Sequence, residues 1–502
     1  MTNNIKNVFS IAFALALVCT SCELEEEVYS SIYTENFFQT ASDAEAAIAA
    51  AYGPLVGLYS GPAAVMVPDF SADQVYPRVA VSRNTLTLFT YDVNYIAQRA
   101  AGRLYESPQQ IWISCFDGIE KSNWVIQRAE AATMDDGRKQ QIIGEAYFLR
   151  AFYHWMATKN FGEIPIKIQA SLTEAEAFVE KSSIDEVYAQ IFRDLDEAIA
   201  RLPVHSATLV KGRPSKETAH ALYAKAALYN QKWALSLANA QAVIANPYLK
   251  LLDDVRDVFN VTREDAARTE NIFSYEAESS TTVSGSTTFY GHQLTGLYGP
   301  PNNAGRDYGR PTYGSTFAYY SFFTSFDPDD ERRLLLDTTY VNNGGAIVPQ
   351  KNLTPITTQG VLVKKYQDPL AVSGNSINIP IFRLADVYLI AGEAEAHLNG
   401  ATPLAYEYVN MVRSRAGLEP LQDGLNSDSF IEAVLQERSW ELFAEGDRWY
   451  DLTRTDKFLT VIPSAVNNVY PQRTPQARNK YFPIPQDELN ANPVLTQNDP
   501  WK

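Results

Sequence analysis

Cys22 is the residue whose chemistry is most readily assigned. It follows Thr20 and Ser21 at the end of an apolar run from Val8 to Cys19, and Lys6 is the only charged side chain before it. A basic start, a short apolar core and small residues at a cut site make a secretory signal. The run is about twelve residues, against the ~20 that a spanning helix needs. The segment is therefore expected to be removed, not to span. Cleavage would leave Cys22 first, with a thiol able to carry acyl chains and an amine able to be capped. Glu23, Glu25, Glu26 and Glu27 follow it closely, as a solvated tether would.

The remaining reactive residues lack catalytic spacing. The chain has no Gly-x-Ser-x-Gly, no His-Glu-x-x-His, no Walker loop and no paired Cys-x-x-Cys. Its five histidines are scattered, and His154, His220 and His397 fall in helical stretches, where packing is the plainer role. Asp327, Asp329, Asp330 and Glu331 lack the glycine and distal glutamate of a calcium loop. They read as an acidic helix start before Arg332 and Arg333. Cys115, among Ile111, Trp112 and Phe116, reads as a buried thiol. No enzymatic activity, cofactor or metal is expected. A net charge of −17 argues against a nucleic-acid partner and fits a neutral or mildly charged ligand. Aromatic residues carry the remaining information. The chain has 29 tyrosines, many outside helical pattern, and aromatic faces on loops commonly hold sugars and other flat ligands.

The elements that must position these groups are mostly helical. Ser42 with Glu45, and Ser183 with Glu186, have capping-box spacing. Gly53–Pro54 marks a break. Ile111 to Ile126, Gln141 to Thr158 and Val187 to Ile199 keep helical stripes. Residues 215–245 and 383–415 each read as two helices joined by a tight turn, the unit of a tetratricopeptide-like stack. Residues 57–108 read as irregular. Residues 260–380 lose helical periodicity over a stretch far longer than an ordinary connection. Phe289, Tyr290, Tyr298, Tyr308, Tyr313, Phe317, Tyr319 and Tyr320 within it argue for order.

Five segments then stand out in order: GEAYFLRAFYHW at 144–155, RLADVYLIAGEAEAHL at 383–398, YVNMVRSRAGL at 408–418, ERSWELFAEGDRWYDL at 437–452 and YFPIPQDELNANPVLTQN at 481–498. With the lipoprotein-type signal they resemble the SusD/RagB family of Bacteroidota outer-surface lipoproteins over nearly the whole chain. The acidic run after Cys22 resembles the surface-export signal of such lipoproteins. Read physically, Arg150, Arg438, Glu441, Arg448 and Asp451 sit among apolar residues and should form buried ion pairs tying helices together. Pro483 and Pro485 suit an extended closing segment laid on the surface.

The resemblance implies a mostly α fold, a tetratricopeptide-like scaffold with a large loop-rich variable region and little β. It divides the chain into a signal (1–21), a lipidated tether (22–41) and one domain (42–502). The scaffold is expected at about 42–56, 109–259 and 381–502, and the ligand-binding part at about 57–108 and 260–380. It implies a lipid-anchored protein on the outer membrane surface that passes an oligosaccharide to a SusC-like TonB-dependent transporter. Candidate ligand contacts come from the loops: Asp73, Gln74, Tyr76, Arg78, Tyr95, Tyr290, Tyr298, Tyr308 and Tyr313. Rings would stack on the C–H faces of sugars, and polar groups would bond their hydroxyls. The alternatives are the same architecture holding a peptide, a structural partner of the transporter without a small ligand, and a glycosidase.

Overall fold

The computed structural model describes residues 37–502, apart from 80, 94–106, 279–280, 284–285, 289–290 and 372–374. Cys22, Tyr95 and Tyr290 lie outside the described residues.

Helix α1 (Ala41–Tyr52) starts at Thr40, whose Oγ1 accepts from the Asp43 amide while the Asp43 carboxylate accepts from the Thr40 amide. The capping box expected at Ser42 and Glu45 thus sits two residues earlier. Asp43 fills the acidic position, and Glu45 instead accepts from Arg138 at 2.8 Å. Gly53 and Pro54 end α1 and open α2 (Pro54–Tyr59), followed by α3 (Ala63–Ser71) and α4 (Val81–Leu88). The stretch from residue 57, read as irregular, is therefore largely helical to Leu88. Leu58, Val65, Met66, Phe70 and Leu86 are fully buried. Tertiary burial stabilises helices too short to show a clear period.

The scaffold comprises α5 (Pro108–Arg128), α6 (Asp136–Phe161), α7 (Ile184–Arg201), α8 (Lys216–Tyr229), α9 (Trp233–Ile244), α10 (Leu384–Asn399), α11 (Pro403–Arg415), α12 (Ser427–Glu441) and α13 (Arg448–Arg454). From α5 to α11 each packs on the next, and α12 packs on α10. Ser183 caps α7 with Glu186, and Ser215 caps α8 with Thr218. The hairpins α8–α9 and α10–α11 are the two helix pairs anticipated from sequence. Helix α6 is buried on nearly all sides from Ile142 to Phe161, as a central helix must be.

Helices α5 and α6 approach closely because Gly118 has no side chain. A Cβ there would lie 2.2 Å from the Tyr153 ring, and that ring is held by a hydrogen bond from its hydroxyl to the Ala51 carbonyl at 2.8 Å. Gly118→Ala is expected to cost about 1–3 kcal/mol by overpacking, read as a lowered urea midpoint. An unchanged midpoint would mean that the ring swings aside.

The strands are short. β1 (Val75–Pro77), β2 (Asn271–Tyr275), β3 (Thr316–Ala318) and β4 (Ile379–Arg383) form two antiparallel ribbons, β1 with β3 and β2 with β4. In the first, Tyr76 lies opposite Phe317. The C-terminal segment is inserted, not laid on the surface. Phe482 and Ile484 are buried, and the Phe482 amide donates to the Asn160 carbonyl at the end of α6. Phe482 before the first proline and Ile484 between the two give it a buried face.

Candidate functional site

The charged residues of the distinctive segments are structural. Arg150 on α6 grips Asp194 on α7, with Nε at 2.9 Å. Arg438 on α12 bridges Asp386 on α10 at 2.7 Å and Asp451 on α13 at 2.9 Å. Lys225 on α8 reaches Asp386 at 2.8 Å. Each ion is paired, as buried charge must be.

A second network ties the loops to this frame. Glu441 on α12 accepts from Arg383 on β4 at 2.5 Å and from Arg415 on α11 at 2.6 Å. Arg332, from the loop-rich part, reaches it at 3.4 Å and also pairs with Asp330 at 2.7 Å and Glu437 at 2.6 Å. Burial alone would raise the Glu441 carboxyl. Arg415, Arg383 and Arg332 outweigh it and hold the group well below the usual carboxylate range. Asp330 and Arg332 thus form an ion pair at a 3-10 turn.

Most of the sequence-derived contact residues support the loops themselves. Asp73 pairs bidentately with Arg448 at 2.8 and 2.9 Å. Burial would raise its carboxyl, and the guanidinium more than offsets this. Gln74, 1% exposed, donates to the Ser439 carbonyl and hydroxyl. Tyr76 is buried among Phe317, Tyr319 and Tyr470, its hydroxyl donating to the Gln359 carbonyl. Tyr298, 1% exposed, donates to Asp69. Tyr308 is buried. These three rings are buried, so none presents an open face to a ligand.

Tyr313 and Arg78 differ. Tyr313 is 42% exposed. Its ring rests on Gly296, where a Cβ would lie 2.5 Å from Cε2, and its amide donates to the Gly296 carbonyl at 2.7 Å. The next residue, Gly314, has φ +61° and stands against Pro301, so a side chain is excluded by both backbone and space. Asn302, exposed, precedes Asn303, whose side chain accepts from the Thr312 amide at 2.7 Å. The Arg78 amide donates to the Ser315 carbonyl at 2.8 Å, extending the β1–β3 ribbon. At the far end of β3, Tyr320 is 41% exposed. The two open rings are seven residues apart, at most roughly 25 Å along extended chain. Tyr320, Asn302 and Arg310, all exposed, are not among the candidates read from sequence. Tyr320 opens a short helix after β3, whose residues Thr316, Phe317 and Ala318 are all buried, so no alternation marks it in the sequence.

The cavity between Lys159, Lys225 and Asp447 measures about 30 Å³, room for water and not for a sugar ring. The Lys159 ammonium lies 4.0 Å from the Trp155 ring centre and 4.2 Å from that of Tyr450. Burial pulls it down to about 7.

A helical-repeat frame carrying a loop-built surface with open tyrosine rings defines the class. The comparisons with known proteins agree. A model described as "SusD family" matches residues 312–501, and one described as "Starch-binding associating with outer membrane" matches residues 24–228. The chain belongs to the SusD/RagB family. SusD-like protein P2 of Formosa agariphila is 28% identical, with 98% of this chain and 99% of that protein aligned. A SusD homologue from Bacteroides thetaiotaomicron superimposes with a TM-score of 0.79 at 20% identity, covering 93% of this chain and 98% of that one. A surface glycan-binding protein A from the same species, solved with laminarihexaose, gives 0.73 at 22% identity over 92% of this chain and 100% of that one.

Proposed function

We propose that this protein is a lipid-anchored outer-surface binding protein that holds an oligosaccharide at the Tyr313 loop and passes it to a SusC-like TonB-dependent transporter. The observation that carries the reading is the Tyr313 ring, braced from behind by Gly296 and open to solvent in front. Such a face suits the C–H side of a sugar ring. Asn302 on the same loop, and Arg78 at the paired end of β1, offer donors for hydroxyls. The glycan-binding name of a structural neighbour and the outer-membrane description of a matching family model support it. The protein performs no chemistry in this scheme. Attachment beside the transporter raises the effective concentration of a weakly held ligand.

Calorimetry against a panel of oligosaccharides and peptides tests the reading. A glycan class should bind, and Tyr313→Ala should weaken it about fivefold to tenfold, near the ~1 kcal/mol of an aromatic contact, with an unchanged circular dichroism spectrum. A silent glycan panel overturns the proposal, and a peptide-only response moves the ligand to that class. Cys22→Ser should abolish incorporation of labelled fatty acid. Retained label would move the anchor elsewhere.

A further inference from the structure

We infer that the ligand is an acidic oligosaccharide, bearing uronate carboxylates or sulfate esters, and that Arg78 and Arg310 read its charge. The inference rests on the glycan-binding reading above and names the substrate class of the same site. The chain as a whole is strongly acidic, at −17, so the local charge at the Tyr313 loop is the informative quantity.

Among the other described arginines many guanidinium groups are matched to carboxylates, while Arg128, Arg333 and Arg478 lie over aromatic rings and Arg473 donates to backbone carbonyls. Arg150, Arg332, Arg383, Arg415, Arg438, Arg448 and Arg454 all have acidic partners. In the Tyr313 loop, Arg306 is neutralised by Asp307 at 3.1 Å. Asp73, the acid nearest Arg78 in sequence, is taken by Arg448. Asp368, against whose carbonyl Gly309 packs, is buried and accepts from the amides of Leu370 and Ser376. Arg78 and Arg310 have no ion pair and no side-chain hydrogen bond to any described residue.

Both are fixed at the backbone beside the open ring. The Arg78 amide donates to the Ser315 carbonyl at 2.8 Å, and the Arg310 amide to the Ala371 carbonyl at 3.0 Å. Ser315 is two residues after Tyr313 and Arg310 three before it, so Arg310 belongs to the loop that carries the ring and the Arg78 backbone is paired beside that loop. Arg310 is exposed and Arg78 half-buried. A guanidinium offers paired N–H donors matched to the planar or tetrahedral oxygens of carboxylate and sulfate. A neutral glycan would leave both charges without a counterpart.

The test is calorimetry of the lipidated full-length chain in detergent with four probes. These are tetragalacturonate, its fully methyl-esterified form, a sulfated carrageenan tetrasaccharide and its desulfated form. At least one acidic probe should bind about tenfold or more tightly than its neutral counterpart. That ratio should shrink toward one at ~0.5 M salt, where exposed charges are screened. Arg310→Gln and Arg78→Gln should each lower the acid-to-neutral ratio severalfold, whereas Tyr313→Ala should weaken both forms together. Preference for the uronate or for the sulfate ester decides between the two sources of charge. Equal binding of acidic and neutral forms, or a ratio untouched by both arginine variants, overturns the inference and leaves the glycan reading standing. Silence toward these probes and toward the wider glycan panel overturns both.

Discussion

Glu441→Gln should lower the stability of the folded protein by about 3–5 kcal/mol, the range for removing one partner from a buried ionic cluster. Glu441 is 1% exposed and receives Arg383, Arg415 and Arg332. Glutamine keeps the volume and one carbonyl oxygen but removes the charge that offsets three buried guanidiniums. Glu270, Glu437 and Glu445 remain as acceptors, which places the effect inside that range and not above it. The cluster joins α11 and α12 to β4 and to the turn at Arg332, so the loss should appear first where the loops meet the frame. Urea titration followed by tryptophan fluorescence gives the total. Amide exchange should show the segment around residues 330–335 opening before α12. A loss below ~1 kcal/mol would show that the arginines re-pair with the other acids, and the assignment of Glu441 as the hub would fail.

Asp69→Asn should flatten the pH dependence of stability between about pH 4 and pH 8. Asp69 is buried, and among the described residues its oxygens accept from the Tyr298 hydroxyl and the Gly446 amide, both at 3.1 Å. Burial pushes its carboxyl up to about 8, although those two donors pull the other way. An unfolded aspartate titrates near ~3.9. The folded state therefore holds its proton more tightly than the unfolded state. The stabilisation tied to that proton is complete below about pH 4 and is lost as pH rises through about 8, amounting to several kcal/mol. Asparagine carries no such proton and can serve both neighbours. The variant should match wild type near pH 4 and exceed it by several kcal/mol near pH 9. Parallel urea-midpoint curves for the two proteins from pH 5 to pH 9 would sink the idea.

Much of the frame was legible in the residues. Ser183 with Glu186 and the hairpins at 216–244 and 384–415 could be read because helical spacing and capping are local. The ion-paired roles of Arg150 and Arg438 followed from charges set in apolar stretches, which cannot stay unpaired when buried. The short helices at 54–71 and the inserted segment at 482–484 were not legible. Their conformation is imposed by surfaces distant in sequence, such as the Asn160 carbonyl that holds Phe482.

The aromatic loops show the division most sharply. Composition alone indicated that tyrosines outside the helices would matter. It could not separate Tyr76, Tyr298 and Tyr308 from Tyr313, because loops have no period to assign an inside and an outside. Partners hundreds of residues away made that separation. Gln74 is held by Ser439 across 365 positions, and Tyr298 by Asp69 across 229. Tyr313 has Gly296 against one face of its ring and stays 42% exposed. The sequence by itself determined the helical frame and the buried ion pairs, because each rests on neighbours along the chain or on charge that must be matched. Which aromatic faces and which arginines remain free was decided by the tertiary structure, because exposure is what is left after every long-range contact has formed.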